Sequence, residues 1–122
     1  MITWLEIRQD TGKNADGRKG QLRLIGEVGR LSEWPARKNL IERIKDAALK
    51  NDMGKTIKFQ SGAENEGKKY SKFLKHNSLV VKDVHDSEEI EKVMRTLLKK
   101  FQPEFDAIGK ALKGFHKYGK GA

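Results

Sequence analysis

The chain contains no cysteine among its 122 residues. This absence excludes a disulfide framework, a thiolate zinc site and a cysteine nucleophile, and it fits a reducing compartment. The Gly-x-x-x-x-Gly-Lys-Ser/Thr motif is also missing, so the sequence gives no support for nucleotide hydrolysis. No serine, histidine and aspartate can be assigned to a catalytic triad. The sequence therefore predicts a protein that is not an enzyme and that needs no cofactor.

Long apolar runs are missing as well. The N-terminus reads Met-Ile-Thr-Trp-Leu-Glu-Ile-Arg and carries its first acidic side chain at Glu6. A signal peptide or a transmembrane helix requires a longer uncharged stretch. We therefore expect an intracellular protein, cytoplasmic or nuclear, that is not secreted and has no membrane partner.

Acidic residues are scarce relative to basic ones. The chain has 17 Asp and Glu against 26 Lys and Arg, which gives a formal net charge of +9 at pH 7. A surplus of this size on a small protein favours anionic partners, with nucleic acid first and an anionic membrane second. The 36% hydrophobic content fits the modest core of one domain.

One segment, residues 67–82, combines positive charge with flat side chains. It holds five lysines and no carboxylate, and Tyr70, Phe73 and His76 recur at three-residue steps between the lysines. Ammonium groups neutralise backbone phosphates, while rings offer every base a stacking face. The segment predicts a surface for single-stranded nucleic acid in which Tyr70 and Phe73 stack on bases. Its phosphate-binding residues would be Lys68, Lys69, Lys72 and Lys75.

The alternative interpretation of this segment is structural. Tyr70, Phe73 and Leu74 could belong to the core, with the lysines forming a solvated rim whose stems cover apolar surface.

A second basic segment, residues 10–20, holds three glycines together with Lys13, Arg18 and Lys19. Such a run predicts a mobile hairpin tip. Glycine lets the main chain approach a phosphate backbone, and the basic groups supply charge, so the loop is a candidate backbone contact. The alternative is a solvated tip without a ligand.

The first half of the chain predicts two strands and a helix. Alternation of apolar and polar residues indicates strands at 2–9 and 21–29. A helix follows from about Glu33 to Lys50, with Ser32 as its N-cap and Pro35 in its first turn.

The second half repeats this order. Strands are predicted at 56–59 and 78–84, while periodicity leaves residues 70–74 undecided between strand and helical turn. Asp86 or Ser87 caps the second helix, and acidic residues fill its first turns, where the helix dipole favours them. Pro103 predicts either one bent helix or two consecutive helices.

These elements predict a single α+β domain at residues 1–115, followed by a basic flexible tail at 116–122. Its antiparallel sheet has about four strands in the order strand–strand–helix, strand–strand–helix. Both helices cover one face, and the other face and its loops are expected to be basic. The apolar residues from Ile90 to Phe115 could exceed what one sheet buries and leave a homodimer surface, or they could be plain core.

Part of the chain resembles a known family. Ile7-Arg8, a glycine-bearing loop, Gly17-Arg18-Lys19-Gly20 and a strand that leads into a Ser-Glu-Trp helix are similar to the positive-coactivator family of transcriptional coactivators, which bind single-stranded DNA. The resemblance covers roughly residues 2–50. The family places more strands ahead of its helix, whereas a second strand pair and a long helix follow here.

The resemblance implies a curved antiparallel sheet, homodimerisation through the helix, and basic and aromatic contacts to unpaired bases. It would place Arg8, Arg18 and Lys19 at the nucleic acid.

Other candidate sites have structural explanations. Asp83, His85 and Asp86 could bind a divalent metal, but a strand end and a helix cap account for the two aspartates, so no metal site is predicted. Acid–lysine pairs at Glu42–Lys45 and Glu91–Lys92 offer the residue types of a metal-dependent nuclease, yet such pairs are ordinary on exposed helices. The predicted function is therefore non-enzymatic binding of single-stranded DNA or RNA. The alternatives are a module that docks on an acidic protein, and a small nuclease or nuclease subunit.

Overall fold

The computed structural model describes residues 1–13, 15–31 and 33–121, with side chains as far as residue 113. The elements in chain order are β1 (Ile2–Gln9), β2 (Gly20–Val28), α1 (Trp34–Lys50), β3 (Ser71–Lys72), β4 (Ser78–Val81) and α2 (Ser87–Gly121). They form one antiparallel sheet of four strands with two helices, which confirms the predicted α+β domain. In the described part of the chain, neither helix is long and apolar enough to cross a membrane.

The sheet is built around β2. β1 pairs with β2 over its whole length, in a register that places Leu5 opposite Leu24. β3 and β4 share the other edge of β2, with Ser71 opposite Val28 and Val81 opposite Gly20. β2 is therefore the only strand of the sheet with a neighbour on both sides among the described residues.

The two faces of β2 differ in polarity. Leu22, Leu24 and Val28 are at most 2% exposed and share the core with apolar residues of both helices. Since side chains alternate across a strand, the residues between them point to the opposite face. We call this opposite face the outer face. It carries Ile2, Trp4, Glu6 and Arg8 of β1, Gln21, Arg23, Ile25 and Glu27 of β2, and Lys72, Ser78 and Val80 of β3 and β4.

Helix α2 contributes its largest apolar residues to this core. Leu97, Phe101 and Ile108 are 0% exposed within the single chain, whereas Leu98 is 38% exposed. The predicted homodimer surface from Ile90 to Phe115 therefore loses these three residues to the chain's own core. The side chain of Phe115 lies outside the described residues, and the homodimer stays a prediction.

The predicted third strand at residues 56–59 is wrong. The segment makes one isolated bridge, between Ile57 and Leu74, and the strand of the sheet in this region is β3. The last predicted strand ends at Val81 rather than at residue 84. Its end has a physical cause, because the amides of Lys82 and Asp83 donate to the Glu89 carboxylate at 2.9 and 2.8 Å instead of to a neighbouring strand.

The helix starts are close to the predicted positions. Glu33 occupies the N-cap position of α1 without a side-chain cap bond, and proline lies in the first turn as expected. The predicted cap, Ser32, lies outside the described residues. At α2, the Asp86 carboxylate accepts the amides of Glu88 and Glu89 at 3.1 and 3.2 Å, which confirms it as the cap.

Helix α2 is continuous through Pro103 and runs to Gly121, so one helix forms rather than two. The tail predicted at 116–122 falls at this end, where the side chains lie outside the described residues.

A buried arginine joins α1 to the sheet. Arg37 is 2% exposed, and its guanidinium donates to the carbonyls of Gly29, Val28 and Ala63 and to the Ser71 hydroxyl at 2.9 Å. Burial lowers the pKa of Arg37. These bonds connect the end of β2, the loop before β3 at Ala63 and the first residue of β3, and they therefore fix the position of β3 within the basic segment 67–82.

Candidate nucleic-acid interface

β3 and β4 lie along the same edge of β2 but do not form one continuous strand. The Phe73 amide donates to the Gly26 carbonyl at 3.0 Å, and the next main-chain bond runs from the Leu24 amide to the Asn77 carbonyl at 2.8 Å. Between these bonds β2 contributes a single residue, whereas the facing chain contributes residues 74–76. The facing chain therefore bulges away from β2. We call residues 74–76 the bulge.

The bulge is held on its far side by the segment that was predicted to be a strand. The Lys58 amide donates to the Phe73 carbonyl at 2.8 Å, and the Lys75 amide donates to the Thr56 carbonyl at 2.8 Å. After Phe73 the chain thus stops pairing with β2 and pairs with residues 56–58 instead, and a gap opens between β2 and the bulge.

The return of the chain to β2 is also fixed. His76 adopts a positive φ of 54°, a left-handed conformation that is uncommon outside glycine. Its carbonyl accepts a hydrogen bond from the Lys100 ammonium at 2.9 Å. The Asn77 side-chain amide donates to the Leu24 carbonyl at 2.6 Å, in place of the main-chain N–H that a regular neighbouring strand would supply. Hydrogen bonds on both sides therefore fix the conformation of the bulge at the edge of the sheet.

The gap beside β2 forms a small cavity of about 220 Å³, which we call the bulge pocket. Ile25 and Leu74, at 3% and 5% exposed, form its apolar floor. Its remaining walls come from Arg23, Gly26, Lys72, Lys75, His76 and Asn77.

A wider groove of about 720 Å³ lies on the other side of the bulge. Lys75 and His76 line both cavities, and Lys55 and Lys58 join them in the groove. The bulge therefore stands as a ridge between two cavities that are both lined by basic side chains.

The charge around the two cavities is of one sign. No carboxylate lines either cavity, and five cations surround them: Arg23, Lys55, Lys58, Lys72 and Lys75. We call these five the bulge cations. None of them makes an ion pair within 4.0 Å in the described part of the chain. Unpaired cations gathered around a ridge create a positive potential that attracts a polyanion.

The outer face as a whole is less basic than predicted. Glu6 lies opposite Arg23, and Glu27 lies opposite Lys72 in the sheet register. Arg8 is paired with Glu6 at 3.4 Å. Positive charge on this side of the molecule is therefore concentrated at the bulge and is not spread evenly over the face.

The predicted role of Phe73 is wrong. Phe73 is 0% exposed and stacks on Phe59 with ring centroids 5.1 Å apart. A ring sealed in the core cannot stack on a base, so the structural alternative holds for Phe73.

Tyr70 is different, because its side chain is 64% exposed. A Cβ placed on Gly29 would lie 3.8 Å from the Tyr70 ring, so the ring lies beside the end of β2. Lys68 and Lys69 precede it and are exposed. Of the two predicted stacking residues, only Tyr70 is available to a ligand.

A second ring was missed by the sequence analysis. Trp4 lies on the outer face opposite Ile25 and is half-buried. The apolar residues 22, 24 and 28 of β2 mark the face that meets the helices, and the β1–β2 register then places Trp4 on the other face. The alternation of side chains can be read from the sequence, but the register between β1 and β2 cannot. The register was needed to place Trp4 beside Ile25 on the outer face.

The predicted hairpin residues form a separate group. Arg8, Lys13, Arg18 and Lys19 are all exposed near the Gly20 end of β2. The bulge faces residues 24–26, four to six residues from Gly20, so about 13–20 Å separates the two groups at about 3.3 Å per residue. The two predicted basic segments pair where Gly20 lies opposite Val81, but the basic side chains of the hairpin do not lie next to the bulge.

Hydrogen bonds hold the side of the hairpin loop that leads into β2. The Asp16 carboxylate accepts the amides of Arg18 and Lys19 at 2.9 and 3.3 Å, and these bonds lower the pKa of Asp16. The Val84 amide donates to the Arg18 carbonyl at 2.7 Å. These contacts dock the basic residues of the hairpin against the chain that follows β4.

Several of the residues considered for metal or nuclease chemistry make other contacts. Asp83 accepts the His85 amide at 2.9 Å, and the described residues contain no group of acids and histidines that could hold a metal ion. Lys45 pairs with Glu64 at 3.0 Å, a hydrogen bond that lowers the pKa of Glu64. Glu91 pairs with Arg95 at 2.6 Å on the α2 surface.

Comparison with known proteins gives no relative. No family model, no curated protein and no solved structure matches the chain. The resemblance to the positive-coactivator family therefore stays an expectation that rests on two short motifs.

Proposed function

We propose that this protein binds single-stranded nucleic acid, without catalysis, along a surface that joins the bulge cations to the exposed ring of Tyr70. The observation that carries the proposal is the set of five cations around two cavities with no carboxylate in either lining. Each ammonium or guanidinium group that neutralises a phosphate releases a condensed counterion, and this release supplies affinity that does not depend on sequence.

The position of the rings favours an unpaired strand over a duplex. Lys72 lies on the outer face, and the exposed ring of Tyr70 lies beside Gly29 at the end of β2. Trp4 lies on the same face beside the floor of the bulge pocket. Bases of a single strand are free to stack on such rings, whereas bases of a duplex are already stacked on each other.

The hairpin group extends the proposed surface. A strand that contacts both Lys72 and Arg18 runs along the sheet for roughly 20 Å, judged from about 3.3 Å per residue of β2. Site sizes of about 4–16 nucleotides are usual for small sheet-based domains that bind single strands. The bulge cations then supply the main contact, and the hairpin residues hold one end of a longer strand.

A titration by fluorescence anisotropy tests the proposal. Labelled 20-nucleotide single strands of DNA and RNA, and a duplex of the same sequence, are titrated with protein at the same salt concentration. We expect the single strands to bind more tightly than the duplex and to stay intact in the presence of Mg²⁺. Equal or tighter duplex binding, or binding of neither probe, would contradict the proposal, and cleavage of the probe would support the nuclease alternative.

A further inference from the structure

We infer that the bulge pocket is a subsite for the terminal phosphate of a nucleic-acid strand. The inference rests on the proposed function and names the part of the strand that this cavity takes. It comes from the shape of the cavity, from the donors in its walls and from the charge of the group that would enter it.

The shape is that of a recess. The pocket opens where the chain leaves β2 after Phe73 and returns at Asn77. Ile25 and Leu74 close its floor, and both are almost fully buried. Its volume of about 220 Å³ lies below the range of roughly 300–1,000 Å³ that is usual for small-molecule sites. A recess of this size admits an end group, whereas a strand that continues in both directions follows the wider groove.

The donors in the walls suit a phosphate. Arg23 lines the pocket, and its buried Nε has no hydrogen-bond partner among the described residues. Because this Nε is closed to solvent, an entering ligand would meet the terminal amino groups of the guanidinium, which make no hydrogen bond in the described part of the chain. A guanidinium presents two parallel donors to phosphate oxygens, and the ammonium groups of Lys72 and Lys75 add charge on the facing wall.

A phosphate at the end of a strand carries a different charge from a phosphate inside the strand. An internal phosphodiester carries one negative charge. A phosphomonoester carries about −1.5 to −2 at pH 7, because its second pKa lies near 6. Three cations that line one cavity attract the more highly charged group more strongly, and the attraction is greater in a recess than on an open surface. The pocket therefore favours a phosphorylated end.

The pocket is preformed. The left-handed conformation of His76, the Lys100 bond to its carbonyl and the Asn77 side-chain bond to Leu24 hold the gap open without a ligand. Sparsely populated backbone conformations that the surroundings enforce are concentrated at binding sites. Preorganisation of this kind lowers the entropic cost of binding.

The test compares three forms of one 12-nucleotide single strand: with a 5′ phosphate, with a 3′ phosphate and with hydroxyls at both ends. We expect one phosphorylated form to bind at least five-fold more tightly than the hydroxyl form, and its polarity identifies which end the pocket takes. The Arg23→Lys variant keeps the charge but loses the two-donor fork. It should reduce the preference to less than two-fold, with the hydroxyl form still bound. Arg95→Lys, on α2 and outside the proposed surface, should leave the preference unchanged.

The outcomes separate the inference from the proposed function. Equal affinity for all three forms would overturn the terminal-phosphate subsite and leave the proposed function standing. A preference that survives Arg23→Lys would also overturn the assignment to this pocket. Binding of no form would overturn the proposed function, and the subsite with it. Thermal melting of Arg23→Lys without ligand checks that the variant is folded.

Discussion

Replacement of Arg37 by lysine tests how the basic segment is positioned. Lysine keeps the charge but presents a compact ammonium group, which cannot reach the carbonyls of Gly29 and Ala63 and the Ser71 hydroxyl together. At least two acceptors that are buried or partly buried lose their donor. Each unsatisfied buried group costs about 1–3 kcal/mol, so we expect a loss of roughly 3 kcal/mol in the free energy of unfolding. For a chain of this size, that loss lowers Tm by roughly 12 °C.

Urea unfolding followed by tryptophan fluorescence measures this change, since the chain has two tryptophans, Trp4 and Trp34. The midpoint should fall while the m-value stays constant, because the surface exposed on unfolding is the same. Arg95→Lys is the matched control. Its ion pair with Glu91 is exposed on both sides, and such pairs contribute about 0–1 kcal/mol. A loss below about 1 kcal/mol for Arg37→Lys would refute the reasoning, since that is no more than an exposed pair contributes.

Three further predictions follow from single contacts. Tyr70→Ala should weaken single-strand binding, measured by anisotropy, by about 1–3 kcal/mol with little change in Tm. Phe73→Ala should instead reduce the free energy of unfolding by about 3–5 kcal/mol, measured by melting. A Phe73→Ala variant that is stable but binds weakly, beside a Tyr70→Ala variant that binds normally, would restore Phe73 as the ligand contact. Gly20→Ala should lower Tm, because its Cβ would lie 2.5 Å from the Arg8 carbonyl oxygen; an unchanged melt would refute the close approach. Asp16 has a folded pKa below its ordinary value, so its stabilisation is present above the unfolded pKa and is lost as pH falls through the folded one. An NMR titration of its carboxyl checks this, and an ordinary pKa would contradict the bonds to Arg18 and Lys19.

The sequence predicted the fold class because the signals were local. Alternation marked β1 and β2, an apolar period marked both helices, and the Asp86 cap marked the start of α2. The prediction of a strand at 56–59 failed although its residues suit a strand. In the described part of the chain, the segment pairs across only with residues 73–75, and no local sequence pattern shows that a longer partner strand is missing. The predicted end of β4 at residue 84 was wrong for a similar reason. The Glu89 carboxylate accepts the amides of Lys82 and Asp83, which would otherwise have been free to pair with another strand.

The site was predicted in part. Lys72 and Lys75, two of the predicted binding residues, line the bulge pocket, but Arg23, Lys55 and Lys58 come from elements distant in sequence and meet them only through the fold. Three-residue spacing gave Tyr70 and Phe73 equal weight. The tertiary structure separates them, because the chain turns Phe73 inward against Phe59 and leaves Tyr70 exposed beside Gly29.

The salt dependence of binding tests the central claim most directly. For a single strand, the slope of log K against log salt is about −0.7 for each phosphate that is neutralised. The triple variant Lys55→Gln, Lys58→Gln and Lys75→Gln should therefore reduce the magnitude of the slope by about 2. The control removes the same charge at Lys92, Lys110 and Lys113, which are exposed on α2 and line neither cavity beside the bulge. The account predicts an unchanged slope for the control, and equal slopes for the two triple variants would contradict it.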